Sequence, residues 1–599
     1  MLSDDQGKFG TIMTVLYVQG TRLEEKQRIS KPMVKPFLIS LGVLFLLAMH
    51  YFQHNPGGSG LELSFNVMSW IPFSFAIAFG LLEICRQRTW RYSRLTLTLL
   101  ACCLLLTLPV FYPEANGENT TNRLLGLWAG FLFFVGLQQF SFTVKQRQRM
   151  LWLILLAVWI QALFGWYQFL LMEPGNPIGY DTIENRPYGI FQQPNVMASF
   201  LATGLILSAY LLARIPMYRG KWSWLQLLPL LTPVVTVPML VVVSSRTGWL
   251  GAVIGTLLML PYLHRFAAKA QMRMWLLMVF LGLSTAWNIS STTGWAPKED
   301  RVSLESARSI HIPQAFRMFL KEPLTGYGYG TFESAYLTQT AKWHQIDPEQ
   351  PHGMAALDHP HNELAYWAAE GGCIPLVALL LAAWAVLGRV RKARTGTQLA
   401  LVGLFFPITL HTQLEYPFYH SLVHWAGFMI LIYWVDNLSA KYYKLQFGFA
   451  RYFRLLVLAL PLAVTGFMVT TLYSGHMLTK YETTVPVNVD YLEQVNNPWA
   501  WKNRFEWDLY LTQLQLGTAT DNPALINEYV QWATKKAATW PRPALYHNLI
   551  TAYQALGKEQ RAEQIKQEAN FLFPDVSFST QAQSIQASNT DTTPKLATQ

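Results

Sequence analysis

Long apolar runs alternate with short polar segments along most of the chain. About thirteen runs approach the roughly 20 residues that a helix needs to cross the hydrocarbon core of a bilayer. They begin near Pro36, Phe65, Leu95, Leu124, Met150, Val196, Trp224, Thr247, Met274, Leu364, Thr397, Val423 and Leu455. The eighth run, residues 247–263, is short enough to suit a re-entrant segment as well. The pattern predicts an all-α, polytopic membrane protein with about 13 transmembrane helices.

The composition is also typical of a membrane protein. Hydrophobic residues make up 52% of the 599 residues, charged residues only 14%, and the mean hydropathy is +0.20. A chain of this composition is hard to fold in water alone. The four cysteines lie in or beside apolar runs, so the sequence offers neither an external disulfide framework nor a paired-cysteine metal site.

Lysine and arginine concentrate in alternate loops. The first set holds six of them in residues 1–35, followed by Arg86, Arg88, Arg91, Arg94, Lys145, Arg147, Arg149, Arg214, Arg219, Lys221, Arg265, Lys269, Arg273, Arg389, Arg391, Lys392, Arg394, Lys441, Lys444, Arg451 and Arg454. The opposite short loops hold only Arg123, Arg186 and Arg246. Because cytoplasmic loops retain positive charge, the N-terminus is predicted to be cytoplasmic. The net charge of +11 then reflects topology and requires no nucleic-acid partner.

The pattern divides the chain into four parts. They are a cytoplasmic segment (1–35), a transmembrane catalytic domain (36–473) with a long external loop (291–363), an external helical domain (474–576) and a disordered tail (577–599), which is rich in Ser, Thr and Gln. The spacing of Ala552, Tyr553, Leu556, Gly557 and Ala562 is typical of a tetratricopeptide-like hairpin. This domain is either a structural cap, a holder for a protein acceptor, or both.

The densest titratable cluster is "ALDHPHNELAYWAAEGG", residues 356–372. His361 stands where a helix enters the membrane and water becomes scarce, and a histidine there can accept a proton from a hydroxyl nucleophile. His359, Asp358 and Glu363 fit a solvated helix N-terminus, where acidic residues are favoured. A metal site would combine His352, Asp358, His359 and His361, but this spacing matches no zinc signature, and no metal or cofactor is predicted.

Three arginines on the external side are candidates for binding an anion. Arg246, in "VVVSSRTGWLG", lies between two apolar runs, where a charge marks either a functional site or a side chain that snorkels to the headgroups. Arg308 lies on a predicted amphipathic helix, residues 304–320, with Pro313 as a kink, and could equally be a solvated arginine. Arg186 is the third. Guanidinium forks near one histidine would suit a pyrophosphate.

Two shorter motifs each allow two interpretations. Gln193 and Asn195, in "GIFQQPNVMAS", could hydrogen-bond a sugar, or could form a turn and a helix N-cap. The glycines of "GYGYG", residues 326–330, predict a turn, with phosphate contact by their amides as the alternative.

The order of these pieces resembles the O-antigen ligase and polymerase superfamily. The resemblance rests on "GIFQQPNVMASFLA", "SSRTGWLG", "ARSIHIPQAFRMFLKEPLTGYGYGTF" and "HPHNELAYWAAEGGCIPL", and covers residues 188–375. "QPN", "HPHNE" and the external tail look most like PglL-type O-linked protein oligosaccharyltransferases. One departure is "GGCIP", where relatives commonly show a Gly-Leu-Gly pattern.

The resemblance implies an inverting, metal-independent transfer of a glycan from undecaprenyl pyrophosphate to Ser or Thr of periplasmic proteins such as pilin, at the bacterial inner membrane. It places the essential histidine on His361 and the phosphate-contacting arginines on Arg246 and Arg308. Arg186 is a further donor-binding candidate, and Gln193, Asn195, Asn362, Glu363 and His359 are supporting or glycan-binding candidates. The alternatives are an O-antigen ligase to lipid A core, an O-antigen polymerase, and, from another class, a flippase or transporter of lipid-linked glycan.

Overall fold

The computed structural model describes residues 32–217, 223–293, 308–448 and 450–578. Three predictions fall wholly or partly on other residues. Most of the cytoplasmic segment (1–31), the first turn of the predicted amphipathic helix (304–307) and nearly all of the predicted disordered tail (579–599) lie outside the described residues.

The described chain is built almost entirely of α-helices. In chain order they are α1 (Val34–Leu46), α2 (Ser64–Gln87), α3 (Arg94–Thr107), α4 (Gly117–Gln139), α5 (Val144–Leu171), α6 (Pro194–Leu212), α7 (Leu227–Val243), α8 (Arg246–Phe266), α9 (Lys269–Thr293), α10 (Arg308–Lys321), α11 (Phe332–Ile346), α12 (Glu363–Gly371), α13 (Cys373–Arg391), α14 (Gln398–Thr412), α15 (Pro417–His420), α16 (Leu422–Ser439), α17 (Ala450–Thr483), α18 (Asp490–Glu493), α19 (Lys502–Ala519), α20 (Pro523–Ala537), α21 (Pro543–Ala555) and α22 (Glu559–Leu572). Two short strands, β1 (Thr89–Tyr92) and β2 (Tyr443–Gln446), pair antiparallel with Thr89 opposite Gln446.

The predicted membrane fold is confirmed. Ten helices in the described ranges are long and apolar enough to cross a membrane, namely α2 to α9, α13 and α17. The other three predicted spans fall on the shorter apolar helices α1 and α14 and on α16, which has 18 residues. The eighth run forms α8, whose 21 residues suffice for a span.

Two helices differ from their predicted limits. The run that begins at Leu364 is divided, because Gly372 has φ +72° and separates the short α12 from the apolar α13. The last span, α17, continues to Thr483 and therefore crosses the predicted domain boundary at residue 474. His361 is thus followed by a short, largely buried helix, and only then by the membrane helix.

Helix α6 is the centre of the membrane domain. Its apolar window is 94% buried, compared with 17% for α9 and for α13, which face outward. Glycines let α8 approach its neighbours: a Cβ at Gly251 would lie 3.2 Å from Pro407 Cα of α14, and one at Gly255 would overlap Ile206 of α6. Close backbone contact therefore fixes α6, α8 and α14 relative to one another, and with them the residues at their ends.

The helices of the loop and the tail form a second layer. Successive tail helices α19 to α22 pack on one another, and α21 and α22 are joined by a turn with Gly557 at φ +66°. Leu337 and Ala341 of α11 share a hydrophobic cluster with Tyr546 and Ile550 of α21. Glu333 of α11 also pairs with Arg542. The tail is therefore anchored on the loop helix that follows "GYGYG".

Candidate active site

Five helix ends meet on one side of the molecule. They are the starts of α6, α8, α10 and α12 and the end of α14. The charge pattern predicts that this side is external, since α6 and α8 would enter from it and α14 would leave towards it. The candidate residues on these ends come from segments more than 200 residues apart in sequence, for example Asn195 and Glu415.

His361 lies in a strained segment just before α12. Its φ is +59°, in the left-handed region that few non-glycine residues adopt, and its backbone N–H donates to His359 Nδ1 at 2.9 Å. Among the described residues its buried Nδ1 has no hydrogen-bond partner. Burial lowers the pKa of His361 to about 4, against an opposing effect of the Glu415 carboxylate. The imidazole is therefore neutral near pH 7 and able to accept a proton.

Glu415 is the centre of the site, and the sequence analysis missed it. It follows the end of α14, and its Oε1 accepts from Arg308 Nη2 at 2.6 Å and from Asn195 Nδ2 at 2.5 Å. His411 Nε2 lies 3.1 Å from its Oε2. Burial alone would raise the pKa of Glu415, but the His411 hydrogen bond and the charges of His411 and Arg308 outweigh it and hold the pKa well below its usual range. Glu415 is therefore an ionised, fully engaged carboxylate.

The three predicted arginines are linked to this carboxylate in different ways. Arg308, at the start of α10, pairs with Glu415 directly. Arg186 donates from Nε to Val243 O at 2.8 Å and from Nη2 to Asn195 Oδ1 at 3.5 Å, so that Asn195 connects Arg186 to Glu415. Arg246 is the first residue of α8 and is half-buried, and the charge of Arg308 acts on it. The structure therefore brings together Arg186, Arg246 and Arg308.

Residues with a strained backbone lie just before Gln193 and Arg246. Gln192, beside Gln193, has φ +55°, and Ser244, two residues before Arg246, has φ +54°. Gln193 itself caps α6, since its Oε1 accepts from Asn195 N at 2.9 Å, as the N-cap interpretation predicts. With His361, three of the segments that meet here hold a non-glycine residue in the left-handed region. Such strain is common at functional sites, at a cost of about 1–3 kcal/mol each.

The remaining predicted residues fix the segment that carries His361. Asn362 caps α12 by accepting from Ala365 N at 2.9 Å, and its Nδ2 donates to Gln413 O at 3.1 Å. Glu363 Oε1 accepts from Trp367 Nε1 at 2.7 Å and from Tyr419 OH at 2.6 Å. Their contacts are with protein groups, which favours a supporting role for both.

His359 is buried and oriented. Because its Nδ1 accepts from the His361 backbone, a neutral His359 carries its proton on Nε2, which lies 3.6 Å from Glu363 Oε2. The alternative metal set is not assembled, since His352 Nε2 pairs with Asp575 Oδ2 of the tail at 2.5 Å. In the described ranges no group of three His, Cys, Asp or Glu side chains is placed to hold a metal ion.

A buried hydrogen-bond chain leads from Glu415 into the membrane domain. His411 Nδ1 lies 2.8 Å from Ser199 Oγ, which lies 3.2 Å from His424 Nε2, and His424 Nδ1 lies 2.9 Å from Ser421 Oγ. Since Ser199 is 1% exposed, it is enclosed and acts as a link in this chain.

The "GYGYG" segment is a turn, as predicted. Gly326, Gly328 and Gly330 all have positive φ. Their amides are already engaged, because Gly328 N donates to Glu370 O at 2.9 Å and Gly330 N donates to Glu370 Oε1 at 2.9 Å. Phosphate contact by these two amides would require breaking the turn.

Three parts of the chain match models of known protein families. Residues 187–212 match a family model described as protein glycosylation ligase, residues 231–380 match O-antigen ligase, and residues 399–587 match the C-terminal part of a virulence factor membrane-bound polymerase. A search of curated proteins gives no significant match. The first match contains Gln193 and Asn195, the second Arg246, Arg308 and His361, and the third Glu415. The chain is a PglL-type member of the O-antigen ligase superfamily, a multi-pass membrane enzyme that transfers glycans.

Proposed function

We propose that this enzyme is a protein O-oligosaccharyltransferase. It takes a glycan from undecaprenyl pyrophosphate and transfers it to Ser or Thr of periplasmic proteins such as pilin, at the periplasmic side of the bacterial inner membrane. The observation that carries the proposal is the neutral, half-buried His361 beside the Arg308–Glu415 pair, with Arg246 near Arg308 at the start of the membrane helix α8. A lipid-held pyrophosphate and an aqueous hydroxyl can both reach that position.

The charges of the site suit a pyrophosphate diester. Arg308 pairs with Glu415, Arg186 reaches Glu415 through Asn195, and Arg246 lies near Arg308, so three guanidinium groups share this carboxylate among the described residues and leave an excess of positive charge before the donor binds. Glu415 holds Arg308 in place through one oxygen, so other N–H groups of that guanidinium can bind phosphate oxygens. The arginines would then stabilise the charge that develops on the leaving pyrophosphate, which requires no metal ion.

The chemistry is a single displacement. The acceptor hydroxyl gives its proton to His361 while its oxygen attacks the anomeric carbon from the face opposite the phosphate, so the configuration inverts. The C–O bond to the pyrophosphate breaks, and its electron pair leaves with the phosphate. A pKa of about 4 is low for a base, but the negative charge of a bound pyrophosphate would raise the pKa of His361 towards neutrality.

Two features favour a protein acceptor over lipid A core or a second lipid-linked glycan. The tail domain rests on α11, close to the segment that carries His361, and offers a large external surface. The match to protein glycosylation ligases covers the start of α6, which lies in the site. A flippase would instead need its polar groups near the bilayer midplane, whereas these gather at helix ends.

Reconstitution with three acceptors tests the proposal. The purified enzyme in liposomes would receive undecaprenyl-pyrophosphate-linked glycan with pilin, with lipid A core, or with the donor alone. We expect a glycan mass on Ser or Thr of pilin, in the presence or absence of EDTA, and none on lipid A core. Transfer only to lipid A core, or growth of the lipid-linked glycan, would establish the ligase or the polymerase instead.

A further inference from the structure

Helix α10 exposes apolar side chains and buries polar ones. This is the reverse of the usual pattern for a helix on the surface of a water-soluble protein. Its exposed side carries four apolar residues, Ile310, Pro313, Phe316 and Leu320, together with the polar Ser309, Arg317 and Lys321. Leu320 is 74% exposed, and Leu324, just beyond the helix, is 72% exposed. The spacing of these apolar residues places them in one stripe along the helix. Contiguous exposed apolar surface outside a membrane span indicates an apolar partner.

The buried side of α10 is partly polar, and His311 and Gln314 form hydrogen bonds with the loop that follows the helix. Tyr336 OH donates to Gln314 Oε1 at 2.5 Å, and His311 Nδ1 lies 2.9 Å from the same hydroxyl. Gln314 Nε2 donates to Pro351 O at 2.7 Å. These bonds, with the packing of Ala315 and Met318, fix which side of α10 faces the protein. The outward position of the apolar stripe is therefore built into the fold.

Both ends of α10 are tied to the outer ends of membrane helices. At its start, Arg308 pairs with Glu415, three residues after α14 ends. Beyond its end, Pro323 O accepts from the backbone N–H of Cys373, the first residue of α13, at 2.9 Å. A helix of 14 residues is about 21 Å long, so α10 and the two residues after it connect the end of α14 with the start of α13.

We propose that α10 is an interfacial helix whose apolar stripe inserts into the outer leaflet of the bilayer. The occupant is phospholipid, because the helix is held at bilayer level at both ends, and because Arg317 and Lys321 on its exposed side suit the phosphates of anionic headgroups. Arg317 also lies over the ring of the buried Trp343 at 4.1 Å, which holds its stem against the protein. If the proposed donor is correct, this insertion keeps Arg308 at the depth of a lipid-linked pyrophosphate.

Spin labels can measure this insertion in the full-length enzyme. A nitroxide would be attached to a cysteine at Leu320, and in a second protein at Phe316, after replacement of the four native cysteines. The proteins would be reconstituted in vesicles of phosphatidylethanolamine and phosphatidylglycerol. Two exposed leucines give matched references, Leu257 on the membrane helix α8 and Leu516 on the tail helix α19, which are 59% and 53% exposed.

We expect the labels at Leu320 and Phe316 to collide with oxygen more than with a nickel chelate, as the Leu257 label does, and unlike the Leu516 label. Labels that are as accessible to nickel as Leu516 would overturn the proposal. Labels that are shielded from both reagents, or that become shielded only when purified pilin is added, would overturn it in favour of a protein partner. The measurement does not depend on transferase activity, so its failure leaves the proposed function testable by the acceptor assay.

A charge substitution gives a second readout. Leu320→Glu should reduce binding of the donor, seen as a several-fold rise in KM for the lipid-linked glycan, while Leu516→Glu leaves it unchanged. Leu320→Phe, which keeps an apolar side chain, should restore the KM. An unchanged KM in a folded Leu320→Glu protein would contradict the inserted stripe.

Discussion

Two arginine–carboxylate pairs in this part of the molecule share almost the same geometry. Arg308 Nη2 is 2.6 Å from Glu415 Oε1, and Arg123 Nη2 is 2.6 Å from Glu370 Oε2. The Arg308 side chain is 22% exposed and has a second arginine beside it, whereas the Arg123 side chain is 6% exposed. Distance alone therefore does not distinguish a pair that can receive a ligand from one that cannot.

The surroundings of the two pairs explain the difference. The rings of Tyr329, Tyr366 and Trp367 lie 4.4–4.7 Å from the Arg123 guanidinium carbon. Glu370 also accepts from two backbone amides of the "GYGYG" turn and of α11, Gly330 and Phe332. That pair joins α4, the turn and α12, and it is enclosed. The Arg308 pair is open on one side and lies beside His361, which suits a binding site.

The largest effect is expected at the open site. His361→Ala should lower transfer by about 10²–10⁴-fold, the usual contribution of a general base, while the protein remains folded. Transfer of lipid-linked glycan to purified acceptor measures it, with thermal unfolding in detergent as the check on folding. His352→Ala is the matched control and should lose far less, because His352 pairs with Asp575 of the tail. Near-normal transfer by His361→Ala would contradict the assignment.

Exchanging the two arginines for alanine should separate the roles of the pairs. Arg123→Ala leaves Glu370 enclosed without its cation, and should cost about 3–5 kcal/mol of folding free energy. In Arg308→Ala, water can enter the half-open site, and His411 and Asn195 still hold Glu415. This variant should therefore unfold at nearly the wild-type temperature but lose transfer. Thermal unfolding and donor binding of both variants measure this. Equal loss of stability would show that the pairs are equivalent.

The shape of the guanidinium gives a graded prediction within the open site. Arg246→Lys keeps the charge but loses the fork that can bind two phosphate oxygens, so transfer should fall by about tenfold or more. Arg317→Lys, on the exposed side of α10, is the matched control and should change transfer little. Full activity of Arg246→Lys would mean that charge alone suffices.

The pH dependence tests the state of His361. Since its pKa is lowered to about 4 by burial, the free enzyme should keep a neutral imidazole above that pH, and kcat/KM should fall only as the pH approaches 4. The unfolded chain, with an ordinary histidine pKa, binds the proton at higher pH, so this group also lowers stability as the pH falls from about 6.5 to about 4. A decline of kcat/KM centred near 6.5 would instead indicate a solvated histidine.

The smallest effect is expected in the hydrogen-bond chain behind Glu415. Ser199→Ala removes one partner of His411 and should cost about 0.5–1.5 kcal/mol, seen as a loss of transfer of up to about tenfold. Ser208→Ala, on the same helix and bonded to Trp275 Nε1 at 3.0 Å, is a buried serine far from the chain and should affect stability only. If both variants lose transfer equally, the chain has no special role in positioning Glu415.

Particular residues show why some of the site was predictable and some was not. Arg246 was found because a cation between two apolar runs is unusual, and Glu415, in "HTQLEYPFYH" between α14 and α16, satisfies the same criterion. The sequence analysis did not apply this criterion to acidic residues. The division at Gly372 also had a signal in the paired glycines of "AEGGC". The grouping of Arg186 with Asn195 and Glu415 had no signal in the sequence, because Glu415 is distant from the other two residues along the chain.

The sequence by itself determined that this protein folds in a membrane and is built of helices, since apolar run length and the distribution of Lys and Arg depend only on local composition. It also placed His361, Arg246 and Arg308 on one side of the membrane. Only the tertiary structure decided that Arg308 is paired while His361 Nδ1 is left without a partner among the described residues, and that α10 turns its apolar side outward. These features depend on which helices approach one another, and small residues such as Gly251 and Gly255 set that approach by long-range packing.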